Sequence, residues 1–310
     1  MFSAPGGLVT DLSTKIGKIR LENPTMVASG IMDEDAGSMQ RIIDNGAGAI
    51  VTKSIGLTPR TGYANPTIVE LEHGILNAMG LPNPGVIEFK KELALMQPLK
   101  VPIIASIYAS SAEEFAELAK SLEPVDVTAL ELNLSCPHAS NVGLETGSDP
   151  TMITSIIQSI KAEVGLPVFV KLSPNVTDIQ SLAVAAEKAG ADAIVAINTV
   201  KAMAIDLKTQ YPILSNKLGG YSGKAIKPIG IRCIYDIAKV THIPLIGVGG
   251  ITSGADALEY IMAGASAVQI GTAVYYRGLD VFNLITEEIK QWMKHQGYSR
   301  LSDLIGVGHQ

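Results

Sequence analysis

The sequence has few cysteines: Cys136 and Cys233 are the only two among 310 residues. Two thiols cannot build the disulfide framework of a small secreted domain, and they are too few to hold an iron–sulfur cluster within this chain. Zinc is not expected at Cys136, because neither a second cysteine nor a spaced pair of histidines accompanies it. We therefore predict a reduced, cytoplasmic setting and no metal site.

Charge and long apolar runs are also scarce. Charged residues make up 17% of the chain, the net charge is −6, and no long basic run occurs, so nucleic acid is not an expected partner. No run of about 18 apolar residues could span a membrane. Residues 1–7 lack the basic start and the apolar stretch of a signal peptide.

Short apolar runs alternate with longer segments in which apolar residues recur at helical spacing. The short runs predict strands at residues 25–28, 49–53, 103–107, 129–133, 168–171, 193–197, 245–248 and 267–270. The longer segments predict helices at residues 112–121, 152–164, 180–189, 229–240, 255–263 and 281–295. This alternation, over about 250 residues, predicts a closed (β/α)8 TIM barrel and a single domain at residues 1–310.

Three segments interrupt the plain repeat. Residues 8–23 alternate like a hairpin, which we expect to plug the bottom of the barrel. Residues 56–88 and 201–223 are long connections that leave the C-terminal ends of the second and sixth strands. Long connections in compact domains are usually functional, and the C-terminal ends of barrel strands carry the active site.

Two glycine-rich loops follow the seventh and eighth strands: Gly247-Val-Gly-Gly-Ile-Thr252 and Gln269-Ile-Gly-Thr272. Loops at these positions commonly bind phosphate through backbone N–H groups. The alternative is that the glycines only permit tight turns. A dinucleotide fold is not supported, because no G-x-G-x-x-G motif opens a βαβ unit.

Lysine and amide side chains recur at the predicted strand ends. They are Lys53, Asn133, Lys171 and Asn198, with Asn77 in the long second connection. Lysine is seldom buried without a partner, and asparagine offers both a donor and an acceptor. Each residue alone could be structural, but together they predict a site for an anionic ligand that carries amide groups.

Cys136 lies just after the fourth strand, within Glu131-Leu-Asn-Leu-Ser-Cys-Pro-His138. A lone cysteine is more often a small buried hydrophobic residue, and Cys233, in a helical core pattern, fits that interpretation. Cys136 differs because it follows a strand at the barrel mouth. A thiol can change protonation near neutral pH, so Cys136 is the candidate acid/base or nucleophile.

These motifs together resemble the dihydroorotate dehydrogenase family. The resemblance covers nearly the whole chain and rests on segments in the family's order. They are Leu76-Asn-Ala-Met-Gly-Leu-Pro-Asn83, Asn133-Leu-Ser-Cys-Pro-His138, Ala196-Ile-Asn-Thr199, Gly223-Lys-Ala-Ile-Lys-Pro228 and Gly247-Val-Gly-Gly-Ile251. The family is an FMN-containing (β/α)8 barrel that oxidises dihydroorotate to orotate in pyrimidine synthesis.

The resemblance implies roles for individual residues. The flavin phosphate would contact Gly249, Gly250, Gly271 and Thr272, and the ring would contact Ala28, Ser29, Gly30 and Lys171. Further cofactor contacts match Lys53, Ser54, Asn133, Ile197, Ser222 and Gly223. Orotate contacts match Lys53, Asn77, Met79, Gly80, Leu81, Asn133, Asn198 and Thr199. Cys136 matches the base that takes a proton from C5 while hydride leaves C6 for flavin N5.

Gly143-Leu-Glu-Thr-Gly-Ser-Asp149 is most similar to the family's subunit-paired type. In that type a second subunit carries FAD and an iron–sulfur cluster and passes electrons to NAD, and the assembly is a homodimer core or a heterotetramer. The alternatives are the fumarate-reducing type and a dihydropyrimidine dehydrogenase-like enzyme, whose His matches His138. A flavin-free phosphate-binding aldolase or isomerase is a rival of another class.

Overall fold

The computed structural model describes residues 9–134 and 146–310. In chain order, its strands are β1 (Thr14–Ile16), β2 (Ile19–Leu21), β3 (Thr25–Val27), β4 (Ala49–Val51), β5 (Ile68–Leu71), β6 (Gly74–Asn77), β7 (Ile103–Ile107), β8 (Ala129–Asn133), β9 (Val168–Leu172), β10 (Ala193–Ala196), β11 (Val200–Ala202), β12 (Ile205–Asp206), β13 (Tyr211–Pro212), β14 (Gly219–Ser222), β15 (Leu245–Val248) and β16 (Ala265–Ile270).

Eight of these strands form a closed parallel barrel in the order β3, β4, β7, β8, β9, β10, β15, β16. Each pairs with the next in chain order, and β16 closes the ring on β3. The predicted (β/α)8 barrel is therefore confirmed. Most predicted strand ends agree within two residues, because the strands are near-continuous apolar runs that are buried on both faces.

The helices that surround the barrel are α1 (Ala36–Asp44), α2 (Val86–Leu95), α3 (Ala112–Leu122), α4 (Pro150–Glu163), α5 (Ile179–Lys188), α6 (Lys227–Ala238), α7 (Gly254–Met262), α8 (Ala273–Arg277) and α9 (Val281–Gln296). The sequence had not predicted α1, α2 or α8. Asp35, Ser111, Asp178 and Ser253 accept hydrogen bonds from backbone N–H groups in the first turns of their helices. Such caps satisfy amides that the helix itself leaves without acceptors.

The β1–β2 hairpin fills the N-terminal end of the barrel, as the sequence predicted. Its Ile16, Ile19 and Leu21 join the cluster of interior side chains that includes Met26 and Phe169. Thr14 Oγ1 also donates to the carbonyl of Ser266, at the start of β16, over 2.8 Å. Among the described residues, the hairpin therefore closes one end of the barrel, and a cavity opens at the carboxyl ends of its strands.

A small antiparallel sheet stands at that open end. We call it the mouth sheet: β11, β14, β6 and β5, in that order. It joins the two long connections, because Asn77 of β6 pairs with Gly220 of β14. Among the helices in the described ranges, none is both long and apolar enough to cross a membrane.

Candidate active site

A cavity of about 590 Å³ opens between the carboxyl ends of the barrel strands and the mouth sheet. This volume is typical of small-molecule and cofactor sites. It brings together most of the residues predicted from the sequence: Ala28, Ser29, Gly30, Lys53, Ser54, Asn77, Met79, Leu81, Asn133, Lys171, Ile197, Asn198, Thr199, Ser222, Gly223, Gly249, Gly250, Gly271 and Thr272.

Two predicted residues need separate mention: Gly80, and Cys136, which lies outside the described residues. Gly80 is not among the residues that line the cavity; a Cβ there would lie 2.7 Å from the backbone nitrogen of Tyr63, and its φ is +74°. Gly80 therefore fixes the turn between Met79 and Leu81, which do line the cavity. Cys136 lies outside the described residues; the strand that precedes it, β8, ends at Asn133 in the cavity wall.

Lys53 is 7% exposed and lies in the wall of the cavity. Its Nζ is 3.2 Å from Glu34 Oε1, and its backbone N–H donates to the carbonyl of Asp33. The Glu34 side chain is 65% exposed, so it can turn into water without leaving a buried charge behind. Lys53 is thus a nearly buried cation with a displaceable partner, which suits it to bind an anionic ligand.

Lys171 forms a different pair deeper in the barrel. Its Nζ is 3.3 Å from Oε1 of Glu131, which is fully buried, and 3.3 Å from Oε1 of Gln269. Gln269 Nε2 donates to Glu131 Oε2 over 2.5 Å. Because side chains alternate along a strand, Glu131, Lys171 and Gln269 share the interior face with Ala129, Phe169 and Ala267.

A chain of hydroxyl and amide groups crosses the cavity. Ser54 Oγ is 3.2 Å from Ser29 Oγ and accepts from Asn133 Nδ2 over 3.1 Å. Asn198 Nδ2 lies 3.5 Å from Asn133 Oδ1, and Asn198 Oδ1 accepts from the Thr199 N–H. These contacts fix the amide orientations, so donors and acceptors are presented to a planar ligand in a defined pattern.

Both glycine-rich loops approach the Ser222-Gly223 segment on the far side of the cavity. Gly249 and Gly250 have φ of +129° and +69°, and a Cβ on Gly250 would lie 2.7 Å from the carbonyl oxygen of Gly223. Thr272 Oγ1 donates to Ser222 Oγ over 3.0 Å. Glycine backbone and small hydroxyl groups lie together here, and such groups are the kind of donor that commonly binds phosphate.

Asp256 braces the loop after β15 from behind. It accepts hydrogen bonds from Lys227 Nζ at 2.8 Å and from the backbone and hydroxyl of Thr252 at 2.9 and 2.8 Å. Burial alone would raise the pKa of Asp256, but these hydrogen bonds outweigh it and lower the pKa to about 2. The loop is therefore held by a carboxylate that is charged at neutral pH.

Asp33 is a second acid near the site, and it is fully buried. Burial raises its pKa to about 7, against the opposing effects of the Gly30 N–H and the Lys53 charge. Its Oδ1 has no hydrogen-bond partner among the described residues. Asp33 supports the backbone of Gly30, which lines the cavity, and it changes charge near neutral pH.

The sequence had assigned no role to Glu131, Gln269, Asp33 or Asp256. Glu131 carried a usable signal, because it is a charged residue inside an otherwise apolar strand, at the same parity as Asn133. Asp33 and Asp256 stand in loop and capping contexts where acids are common, so they carried none. Within the described residues, no group of three His, Cys, Asp or Glu side chains could hold a metal ion.

Comparison with known proteins gives one consistent result. A family model described as "Dihydroorotate dehydrogenase" matches residues 11–293. A Pyrococcus horikoshii protein, "Dihydroorotate dehydrogenase B (NAD(+)), catalytic subunit", is 53% identical over 296 residues, or 96% of this chain and 97% of the relative. Proteins of the same name from Thermoplasma acidophilum and Methanocaldococcus jannaschii are each 50% identical, over 96% of this chain and 99% and 98% of their own lengths.

Proposed function

The chain belongs to the dihydroorotate dehydrogenase family of oxidoreductases, and from that premise we propose that it oxidises dihydroorotate to orotate with FMN in pyrimidine synthesis. One observation carries the proposal. Nineteen residues that were predicted from widely separated motifs line one cavity at the barrel mouth. In that cavity Lys53, whose partner Glu34 is displaceable, shares the wall with three asparagine amides. Lys171 contacts Gln269, at the start of the glycine-rich loop after the eighth barrel strand.

The lining residues of the cavity suit FMN in their chemistry. The amides of Gly249, Gly250 and Gly271, with Thr272, would hold the phosphate, because a side chain at Gly250 would collide with backbone. Ala28, Ser29, Gly30 and Ile197 would flank the ring, and Lys171 would lie near its pyrimidine end. Bound FMN would supply the hydride acceptor, which no amino-acid side chain provides.

The substrate would bind on the Lys53 side. Its carboxylate would displace Glu34 from the Lys53 ammonium, and its amide groups would meet Asn77, Asn133 and Asn198. Met79, Leu81 and Thr199 would complete the wall, with Gly80 setting the turn between the first two. A carboxylate on a nearly buried lysine distinguishes dihydroorotate from uracil, which carries no such group.

Cys136 is the proposed base, taking the C5 proton of dihydroorotate as hydride leaves C6. The support is that Asn133, which lines the cavity, comes three residues before Cys136 in the sequence. Electrons would then leave through a second subunit that carries FAD and an iron–sulfur cluster, and reach NAD. The support is that the relatives are named catalytic subunits of an NAD(+) enzyme.

Steady-state assays of the purified chain test this function. Dihydroorotate should reduce its bound flavin, and the chain alone should transfer electrons to a dye but not to NAD. NAD reduction should appear only when the FAD and iron–sulfur subunit is added. Robust fumarate turnover by the chain alone would instead assign it to the fumarate-reducing type, and preferential turnover of dihydrouracil would refute the proposed substrate.

A further inference from the structure

The two lysines of the cavity have carboxylate partners that differ in their exposure to solvent. Glu34, the partner of Lys53, is 65% exposed, whereas Glu131, the partner of Lys171, is fully buried. Removing a buried carboxylate from its cation is unfavourable because neither charge can be solvated where it stands. Ligands can therefore exchange at Lys53, whereas the Lys171 pair is a permanent part of the cavity floor.

Gln269 closes the Lys171 pair into a triangle. Its side-chain oxygen accepts from Lys171 Nζ at 3.3 Å, and its side-chain nitrogen donates to Glu131 Oε2 at 2.5 Å. The third side is the contact of 3.3 Å between Lys171 Nζ and Glu131 Oε1. Gln269 is 1% exposed, so water does not compete for these contacts. The ammonium is thus held between a hydrogen bond to Gln269 and an ion pair with Glu131.

We propose that Glu131 is a positioning residue of the flavin site, which holds the Lys171 ammonium at the cavity floor and balances its charge. This inference rests on the proposed function, because it takes the flavin to lie against Lys171. A reduced flavin, or a flavin that has bound sulfite, carries extra negative charge. A lysine beneath it favours that charge, and an unbalanced carboxylate opposes it.

Sulfite titration of the FMN-loaded enzyme provides a readout that does not depend on turnover. Lys171→Met leaves Glu131 as a bare anion, so sulfite affinity should fall about 10- to 100-fold and the flavin reduction potential should fall with it. Adding Glu131→Gln removes that anion. The double variant should therefore regain about tenfold in sulfite affinity over Lys171→Met.

The single Glu131→Gln variant gives an independent test. The unbalanced Lys171 ammonium should tighten sulfite binding relative to the native enzyme. Glu163→Gln is the matched control, since it breaks a 2.8 Å pair with Lys120 on the outer helices α3 and α4. It should leave sulfite affinity and potential unchanged, and FMN content and thermal unfolding confirm that each variant is folded.

The signs of these changes decide between roles. If Glu131 only fills space, the isosteric Glu131→Gln should leave sulfite affinity unchanged, and the double variant should bind sulfite no better than Lys171→Met. Either result, or weaker sulfite binding by Glu131→Gln, overturns the inference. A chain that binds no FMN in any form would refute the proposed function, and this inference with it. If the chain binds FMN but the double variant does not regain sulfite affinity, the inference about Glu131 is refuted and the proposed function is not.

Discussion

The backbone N–H of Gly30 donates a 2.6 Å hydrogen bond to Oδ2 of Asp33, a carboxyl group with no exposed surface. Gly30 itself lines the cavity, at a φ of +93°. The conformation of one cavity wall therefore depends on an acid whose pKa lies near neutrality. This contact links the protonation of a buried group to the stability of the chain.

Asp33→Asn should change how stability varies with pH. The pKa of Asp33 is about 7 in the fold, above its ordinary value of 3.8, so between these values the native state keeps a proton that the unfolded state has lost. Stability therefore falls as pH rises through this window, by up to roughly 4 kcal/mol. Asparagine cannot ionise. In urea unfolding, the free energy of unfolding of Asp33→Asn should therefore rise relative to that of the native chain from pH 4 to pH 7.

Asp35→Asn is the matched control for that experiment. Asp35 is an exposed helix cap whose pKa is lowered by its hydrogen bonds to Ser38, so it stays ionised across the same window. The free energy of unfolding of Asp35→Asn should vary with pH in the same way as that of the native chain. A parallel curve for Asp33→Asn as well would contradict the assignment of the pH dependence to Asp33.

Lys53→Ala should discriminate between ligands. A charge-assisted hydrogen bond contributes roughly 1.5–3 kcal/mol, so orotate binding should weaken about 10- to 100-fold. Uracil, which has no carboxylate, should bind with little change. Isothermal titration with both ligands measures this, and Lys208→Ala, at an exposed turn, should alter neither. Equal losses for orotate and uracil would assign Lys53 to the flavin or to the fold instead.

Cys136→Ala should slow the reduction of FMN by dihydroorotate while FMN stays bound. Loss of a general base typically costs about 10²–10⁴-fold in rate. Cys136→Ser should keep some activity, with the pH optimum moved upward because a hydroxyl is the weaker acid. Cys233→Ala removes the other thiol, which is buried in α6, and should leave the rate unchanged in stopped-flow absorbance. Near-native reduction by Cys136→Ala would rule Cys136 out as the base.

Gly250→Ala should weaken FMN binding by more than about tenfold, since its Cβ would meet the carbonyl of Gly223 at 2.7 Å and shift the proposed phosphate loop. Gly297→Ala separates this clash from backbone strain. Gly297 also has a positive φ, +80°, but nothing lies within 4 Å of its Cβ position. It should lose only about 1 kcal/mol of stability. FMN affinity is measured by fluorescence titration. Equal affinity in both variants would contradict the assignment of the flavin phosphate to the Gly250 loop.

The barrel could be predicted from the sequence because its strands and most of its helices carry strong patterns. The helices α1 and α2 could not be predicted in this way. Helix α1 buries only Met39 and Ile42 in nine residues, so its apolar face is too narrow for a periodic signal. Helix α2 follows a loop rich in proline and glycine, and its start at Val86 is capped by no side chain.

The candidate site was predictable where a motif ends a strand, as at Asn133 and Asn198. The contacts between side chains inside the barrel, below the site, were not predictable. Glu131 and Gln269 are 138 residues apart, and only closure of the barrel, which pairs β8 with β9 and β16 with β3, brings their side chains within 2.5 Å. A sequence gives the identity of such residues, whereas their pairing depends on the register of every strand between them.

The mouth sheet has a consequence for the order of assembly during synthesis. It pairs β6 with β14, and Asn77 donates to the carbonyl of Gly220, 143 residues later. Such distant pairings form late, because the intervening chain must first be ordered. A ribosome-bound chain that has exposed Lys53, Asn77 and Asn133 still lacks one wall of the cavity. The capacity to hold a ligand therefore arises only in the nearly finished chain.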